Sequence, residues 1–334
     1  MAYARKSLIS LGDTPYYHVV ARCVRRAWLW GFDEYAGRDY SHRKSWILER
    51  IAFLASMFSI DVCALAVLSN HYHIVLHVDR SRALRWTHEE VVAQWTRLFG
   101  TPTVIERWLN GEATKAERKA AEKKIAQWRA RLYNISWFMR CLNEHLARKA
   151  NAEDNCTGRF WEGRFRSQAL LDEAGLLTAM AYVDLNPVRA GIAKTPEESE
   201  FTSIYERIRE LRAGSAAAEE DGEPGVKVPL LPFQSTNNRT QPTIPFRFDA
   251  YLELVDWTGR AIVSGKRGFI DGRLPPIIKR LDIDADAWAL AMQPHGNVFG
   301  RAMGKLDRLR LHAKTLGQSW IRGLRQAEKL YDAC

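Results

Sequence analysis

Two apolar, strand-like runs, Ile60 to Leu68 and His71 to Val78, are separated only by Ser69-Asn70, and no other feature of the chain constrains its fold as much. Ser and Asn suit a tight turn, so the pair is expected to form a β-hairpin. The flanking segments extend this unit. Tyr16 to Trp30 alternates and is rich in aromatic and β-branched residues, which reads as a strand interrupted by charge at Arg22, Arg25 and Arg26. From Ser41 to Phe58, Trp46, Ile47, Arg50, Ile51 and Leu54 recur at helical spacing. A helix from Tyr133 to Ala150 leads through a polar loop, Asn151 to Gly158, into a further strand from Arg159 to Gln168. A helix from Asp172 should end near Asn186, because Pro187 disfavours helical geometry at the residue before it.

Between these elements, residues 81–131 read as a helical insertion, and the Lys, Arg and Glu of Lys115 to Arg131 fit a solvated helix. Residues 213–246 concentrate Gly, Pro, Ala, Ser, Thr and Asn, the composition of a linker. The chain is therefore expected to hold a catalytic domain over 1–212 and a C-terminal helical domain over 247–334. In the latter, Phe248 to Trp257, Pro275 to Leu281, Ala285 to Met292 and Ala302 to Tyr331 carry helical patterns with no clear strand.

The chain has 334 residues with 49 Lys and Arg against 39 Asp and Glu, a formal charge of +10. Long-range attraction then favours a polyanion, and nucleic acid is the first expectation, although a basic surface also serves solubility or acidic lipid. The five cysteines, Cys23, Cys63, Cys141, Cys156 and Cys334, form no CxxC pair and are odd in number, so they are expected to be reduced thiols. No apolar run approaches the ~18 residues that cross a bilayer, and a soluble, cytoplasmic protein is expected.

His71-Tyr72-His73 opens a strand, and the period of two points both imidazoles to one face and Tyr72 to the other. Two such rings can share one metal, but packed or surface histidines are the commoner explanation of such a pair. His77 falls on the same face, a further repeat along and distant for a third ligand. On the helix ending at Pro187, Thr178, Tyr182 and Asn186 lie four apart on one face, with Arg189 beyond and roughly in line. A tyrosine and an amide one turn apart can offer a nucleophilic oxygen and a neutral oxygen ligand. They equally fit a tyrosine packed between helix and sheet and an asparagine capping the helix.

Leu68-Ser69-Asn70-His71-Tyr72-His73, then Trp161-Glu162-Gly163-Arg164-Phe165, then Tyr182-Val183-Asp184-Leu185-Asn186-Pro187-Val188-Arg189-Ala190-Gly191, in this order, strongly resemble the REP-associated tyrosine transposases. These belong to the HUH single-tyrosine nuclease superfamily. The resemblance spans roughly Tyr16 to Ile192 apart from the insertion. It implies an α+β fold with a ferredoxin-like core, in which an antiparallel sheet presents two histidines and a helix presents the tyrosine. It also implies roles: His71 and His73 as metal ligands, Asn186 as a third, and Tyr182 as nucleophile. The activity implied is cleavage and rejoining of single-stranded DNA at palindromic hairpins through a 5′-phosphotyrosine. The cofactor expected is Mg2+ or Mn2+, with manganese better suited to an N,N,O ligand set.

Candidate DNA contacts are Arg22, Arg25, Arg26, Arg159, Arg164, Arg166 and Arg189, with Trp161 a candidate for stacking a base. For each, ordinary surface charge or core packing is the competing explanation. The resemblance implies a monomer associated with the nucleoid. Competing functions are a hairpin-binding protein that no longer cuts, a replication or conjugation nickase of the same superfamily, and a zinc hydrolase, for which the helical HExxH spacing is missing.

Overall fold

The structure is a computed structural model that describes residues 8–24, 28–35, 37–215, 227–234, 242–264, 281, 283–292 and 299–331. Its centre is a five-stranded sheet in the order β4 (Ile60–Val67), β5 (His71–Val78), β1 (Tyr16–Arg22), β6 (Arg166–Leu170) and β7 (Ala302–Met303). The first four strands pair antiparallel, and β7 adds a parallel edge. The expected hairpin forms as read, with Leu68 N–H donating to His71 O across the turn at 2.8 Å. A small ribbon of β2 (Phe32–Asp33) and β3 (Arg38–Asp39) lies apart from the sheet.

Alternation along the strands gives the sheet two faces. Tyr17, Val19 and Ala21 of β1 and Tyr72, Ile74 and Leu76 of β5 are all buried on one. Against it lie α1 (Arg43–Met57) and α6 (Ile135–Glu153), which pack together. Ile47, Ile51 and Leu54 form the inner stripe of α1, and truncating a buried Leu54 to Ala would cost about 2–5 kcal/mol. Arg43 ties the two helices at their ends: its buried guanidinium bonds Glu153 of α6 and Asp154, which caps that helix, and donates to Trp28 O.

Residues 81–131 do form helices: α2 (Arg80–Arg85), α3 (His88–Phe99), α4 (Thr103–Leu109) and α5 (Lys115–Leu132). Thr87 and Thr114 start α3 and α5 with capping boxes closed by Glu90 and Glu117. Stacked Trp95 and Trp128 join those two helices.

The opposite sheet face carries α7 (Glu173–Asp184), which packs on β4, β5 and β6. Asp172 caps it by accepting from Gly175 N–H. The helix stops at Asp184, two residues before the expected end, and a separate single turn, α8 (Asn186–Arg189), follows with Pro187 in its first turn. Pro187 therefore starts a new turn here and does not close the old one.

Three expectations need correction. The strand expected over Arg159 to Gln168 is regular only from Arg166; upstream, a single bridge joins Trp161 to Cys23 and the chain bulges away before rejoining β1 at Arg166 opposite Val20. Second, residues 227–234 of the expected linker are packed: Val228 and Leu231 are buried, and Leu231 N–H donates to Val62 O on the free edge of β4. On either side of this segment in the chain, α9 (Ser203–Ser215) and α10 (Phe248–Ser264) flank Asp184, whose buried carboxylate accepts from Ser203 Oγ, Ile204 N and Tyr251 Oη. Third, the tail contributes a strand as well as helices. Helices Ala285–Ala291, Leu306–Thr315 and Leu324–Tyr331 share one continuous core with the rest, and the sheet gains β7, which the helical reading of 302–331 missed. Gly317 and Gly323, both at positive φ, break that stretch into two helices. The pattern expected over 275–280 lies outside the described residues. No described helix is long and apolar enough to cross a membrane.

Candidate active site

Register brings the site together. Val20 pairs with His73 and Arg22 with His71 on one side of β1, while Val20 pairs with Arg166 and His18 with Gln168 on the other. Directly opposed residues share a face, so His18, Arg22, His71, His73, Arg166 and Gln168 all point to the side covered by α7. Tyr72 points away, as its alternation requires, and its buried hydroxyl bonds Asn143 Oδ1 of α6. Tyr182 of α7 comes down on the histidines, its ring centroid 5.8 Å from that of His73 and 6.1 Å from that of His18.

These side chains line a cavity of about 690 Å³. Its rim is basic: Arg22 and Arg166 rise from the strands, Arg164 from the bulge, and Arg322 from the C-terminal segment, against one carboxylate among the described residues, that of Glu162. The bulge matters here. Glu162 N–H donates to Arg22 O, and the excess residues between the Trp161 bridge and Arg166 turn Glu162, Gly163 and Arg164 over the opening.

Burial keeps the imidazoles neutral. His71 is held at about 4, by desolvation first and then by Arg22. Desolvation likewise holds His18 at about 4. His73 is pushed well below the ordinary range by burial, then by its histidine neighbours, Arg189 and Arg22. Neutral rings offer lone pairs, the state a metal requires. His71 Nδ1 is engaged by Asn70 Oδ1 at 2.7 Å and His73 Nδ1 by His18 Nε2 at 2.9 Å, which leaves each Nε2 for the cavity. The ring centroids of His71 and His73 are 5.1 Å apart. The two nitrogen donors thus fit a divalent cation, whereas among the described residues no group of three His, Cys, Asp or Glu side chains does.

The other candidate residues are dispersed. Asn186 is buried one turn beyond Tyr182, at the start of α8, and does not line the cavity. Arg189 is buried with its guanidinium 4.0 Å from the Tyr182 ring centroid, and its Nε donates to Met292 O. Arg159 is exposed and outside the cavity wall. Trp161 packs edge-on against Tyr72, and its indole N–H donates to Asn143 O at 2.9 Å, so its ring serves the core. His77 pairs with Asp61 at 3.0 Å toward the far end of β5. Arg25 and Arg26 lie outside the described residues.

The sequence reading passed over His18, Gln168, Phe299 and Arg322, all of which line the cavity. For His18 a signal existed, since the alternation of Tyr16–Arg22 sets it on the face of Arg22. For Phe299 and Arg322 there was none, because their approach depends on β7 joining the sheet.

No protein-family model matches the chain, and no curated protein matches it. Among solved structures, a REP-associated tyrosine transposase bound to a REP hairpin matches 68% of this chain and 98% of its own. The TM-score is 0.38 and the identity 12%.

Proposed function

We propose that this chain is a metal-dependent single-strand DNA nicking and joining enzyme, a tyrosine transposase of the HUH class acting on palindromic hairpins of the REP type. The observation that carries the reading is the convergence of His71, His73 and Tyr182 in one arginine-rimmed cavity. The order β1–α1–β4–β5–α6–β6, with β1 between β5 and β6, further supports a ferredoxin-like core.

In this reading His71 and His73 would hold Mg2+ or Mn2+ through Nε2, with Asn186 the proposed oxygen ligand, which would require its side chain to reach the cavity. A cation held there would supply charge neutralisation for phosphoryl transfer. Arg22, Arg164 and Arg166 draw the phosphate backbone into the cavity by charge and hydrogen bonds. The Arg189 guanidinium lies over the Tyr182 ring and favours negative charge developing on its oxygen. Tyr182 Oη attacks phosphorus, forming the Tyr–O–P bond as the bond from phosphorus to the 3′ oxygen breaks. The phenol loses its proton and the departing oxygen gains one, leaving a 5′-phosphotyrosine and a free 3′-hydroxyl. Attack by another 3′-hydroxyl reverses the step and rejoins DNA, so no nucleotide triphosphate is consumed. One chain can supply all three groups, so the proposed enzyme is a monomer, in the cytoplasm beside its DNA.

The test is incubation with labelled single-stranded hairpin DNA from around its own gene, with Mn2+ or Mg2+ and with chelator, resolved on a denaturing gel. A covalent adduct should form only with metal, vanish in Tyr182→Phe while DNA binding persists, and lose its metal response in His71→Ala. Full cleavage by Tyr182→Phe would remove tyrosine from the role. Binding without an adduct under every metal would leave a hairpin-binding protein.

A further inference from the structure

We propose that the C-terminal segment fixes the tautomer of His73 through a hydrogen-bonded relay, from the backbone carbonyl of Gly300 through Gln168 and His18, so that the Nε2 lone pair of His73 faces the cavity. That this lone pair receives a cation rests on the function proposed above; the relay itself does not.

The direction of each bond follows from the one before. A carbonyl oxygen only accepts, so Gln168 must turn its amide nitrogen to Gly300 O, and Nε2 donates there at 2.9 Å. Its Oε1 is then left facing His18 Nδ1 at 3.4 Å, and an amide oxygen cannot donate, so His18 carries its hydrogen on Nδ1. A neutral imidazole, the form present above the ordinary histidine pKa of about 6.5, has one N–H. His18 Nε2 is therefore an acceptor, and His73 Nδ1, 2.9 Å away, must be the donor. His73 is left with its lone pair on Nε2. A histidine side chain free in water favours the other tautomer, so without this partner His73 would point its lone pair away from the cavity. On His71 a shorter device has the same sense, with Asn70 Oδ1 accepting from Nδ1 at 2.7 Å.

The anchor is held by strand pairing. Ala169 N–H donates to Arg301 O at 2.8 Å and Leu171 N–H to Met303 O at 2.9 Å, which fixes Gly300 beside Gln168. A Cβ at Gly300 would stand 3.0 Å from Arg322 Cβ, so the glycine lets this strand pass close under the segment that brings Arg322 to the rim. His18 and Gln168 are thus positioning residues, of the kind that typically changes metal affinity about 10- to 100-fold when lost.

The experiment is side-chain 1H–15N correlation NMR on metal-free, histidine-labelled full-length protein, with Mn2+ titration followed by electron paramagnetic resonance. In the wild type, His73 should be the Nδ1–H tautomer. His18→Phe and Gln168→Met should each shift it toward Nε2–H and raise the Mn2+ Kd about 10- to 100-fold. His18→Gln, which offers an amide oxygen to His73 Nδ1, should restore the tautomer. An Nε2–H His73 in the wild type overturns the proposal without any variant having to fold. So does an unchanged tautomer in His18→Phe. If the wild type shows the Nδ1–H form but binds no Mn2+, the metal reading fails and the relay stands.

Discussion

Gly175→Ala is a sharp test of how the C-terminal segment is joined to the helix that carries Tyr182. Gly175 sits in the first turn of α7, where a Cβ would fall 2.5 Å from Met303 O, 2.8 Å from Met303 C and 3.1 Å from Gly304 N. All three are backbone atoms, so no flexible side chain can yield. On an exposed helix the substitution would stabilise by about 1 kcal/mol. Here the added methyl must push α7 and β7 apart, and forcing a methyl into a packed contact costs about 1–3 kcal/mol. Opening that contact also strains the Leu171 N–H to Met303 O bond, worth about 1 kcal/mol, and the clasp in which Asp172 accepts from Gly175 N–H and Lys305 N–H. The terms oppose each other and sterics win, for a net loss of about 1–3 kcal/mol. Urea unfolding followed by far-ultraviolet circular dichroism measures it as a lower midpoint at unchanged slope. A variant as stable as the parent, or more so, would mean that α7 and β7 do not touch as described.

Two further outcomes are expected. In metal-free protein, burial holds His18 at about 4 against 6.5 for an ordinary histidine, so the unfolded chain binds the extra proton first. Stability from this ring is then complete above pH 6.5 and is lost as pH falls toward 4, by about 3 kcal/mol in all. His18→Gln should flatten that acid limb in urea midpoints taken from pH 7 to 4.5, and an equal slope in both proteins would contradict the burial. Among the thiols, Cys156 is exposed, Cys23 and Cys63 are pushed up by burial, and Cys141 is pushed up to about 11. Iodoacetamide at pH 8 should therefore label Cys156 in the folded protein and Cys23, Cys63 and Cys141 only in denaturant, as read by peptide mass spectrometry.

What could be read in advance follows the range of the interactions involved. The β4–β5 hairpin is local: two alternating runs and a two-residue turn fix pairing and face together, and with them the direction of His71, His73 and Tyr72. The four-residue spacing along α7 is equally local, although the end of that helix is not. Pro187 is compatible both with closing one helix and with opening the next, and packing around the buried Asp184 decides between them. The strand over Arg159 to Gln168 was drawn too long because alternation does not reveal a bulge. Residues 227–234 have a linker's composition, yet Val228 and Leu231 find the free edge of β4, a surface that exists only once the sheet is built.

The site shows the same division, and it explains why the basic rim and the neutral rings belong together. His71 and His73 were visible as a pair, but His18 gains meaning only from His73, 55 positions away, and Gln168 only from Gly300, 132 positions away. The sequence offers its arginines alike as candidate DNA contacts, yet their placement differs in kind. Arg164, Arg166 and Arg322 line an open cavity, where a phosphate can reach them, while Arg189 is buried under the Tyr182 ring. Arg22 does both jobs. It lines the cavity, and with Arg189 it lowers the proton affinity of His73 from outside the ring. Positive charge that attracts a polyanion also repels a proton, so the same residues that would bring DNA to Tyr182 keep the imidazoles below it unprotonated, with their lone pairs available when the phosphate arrives.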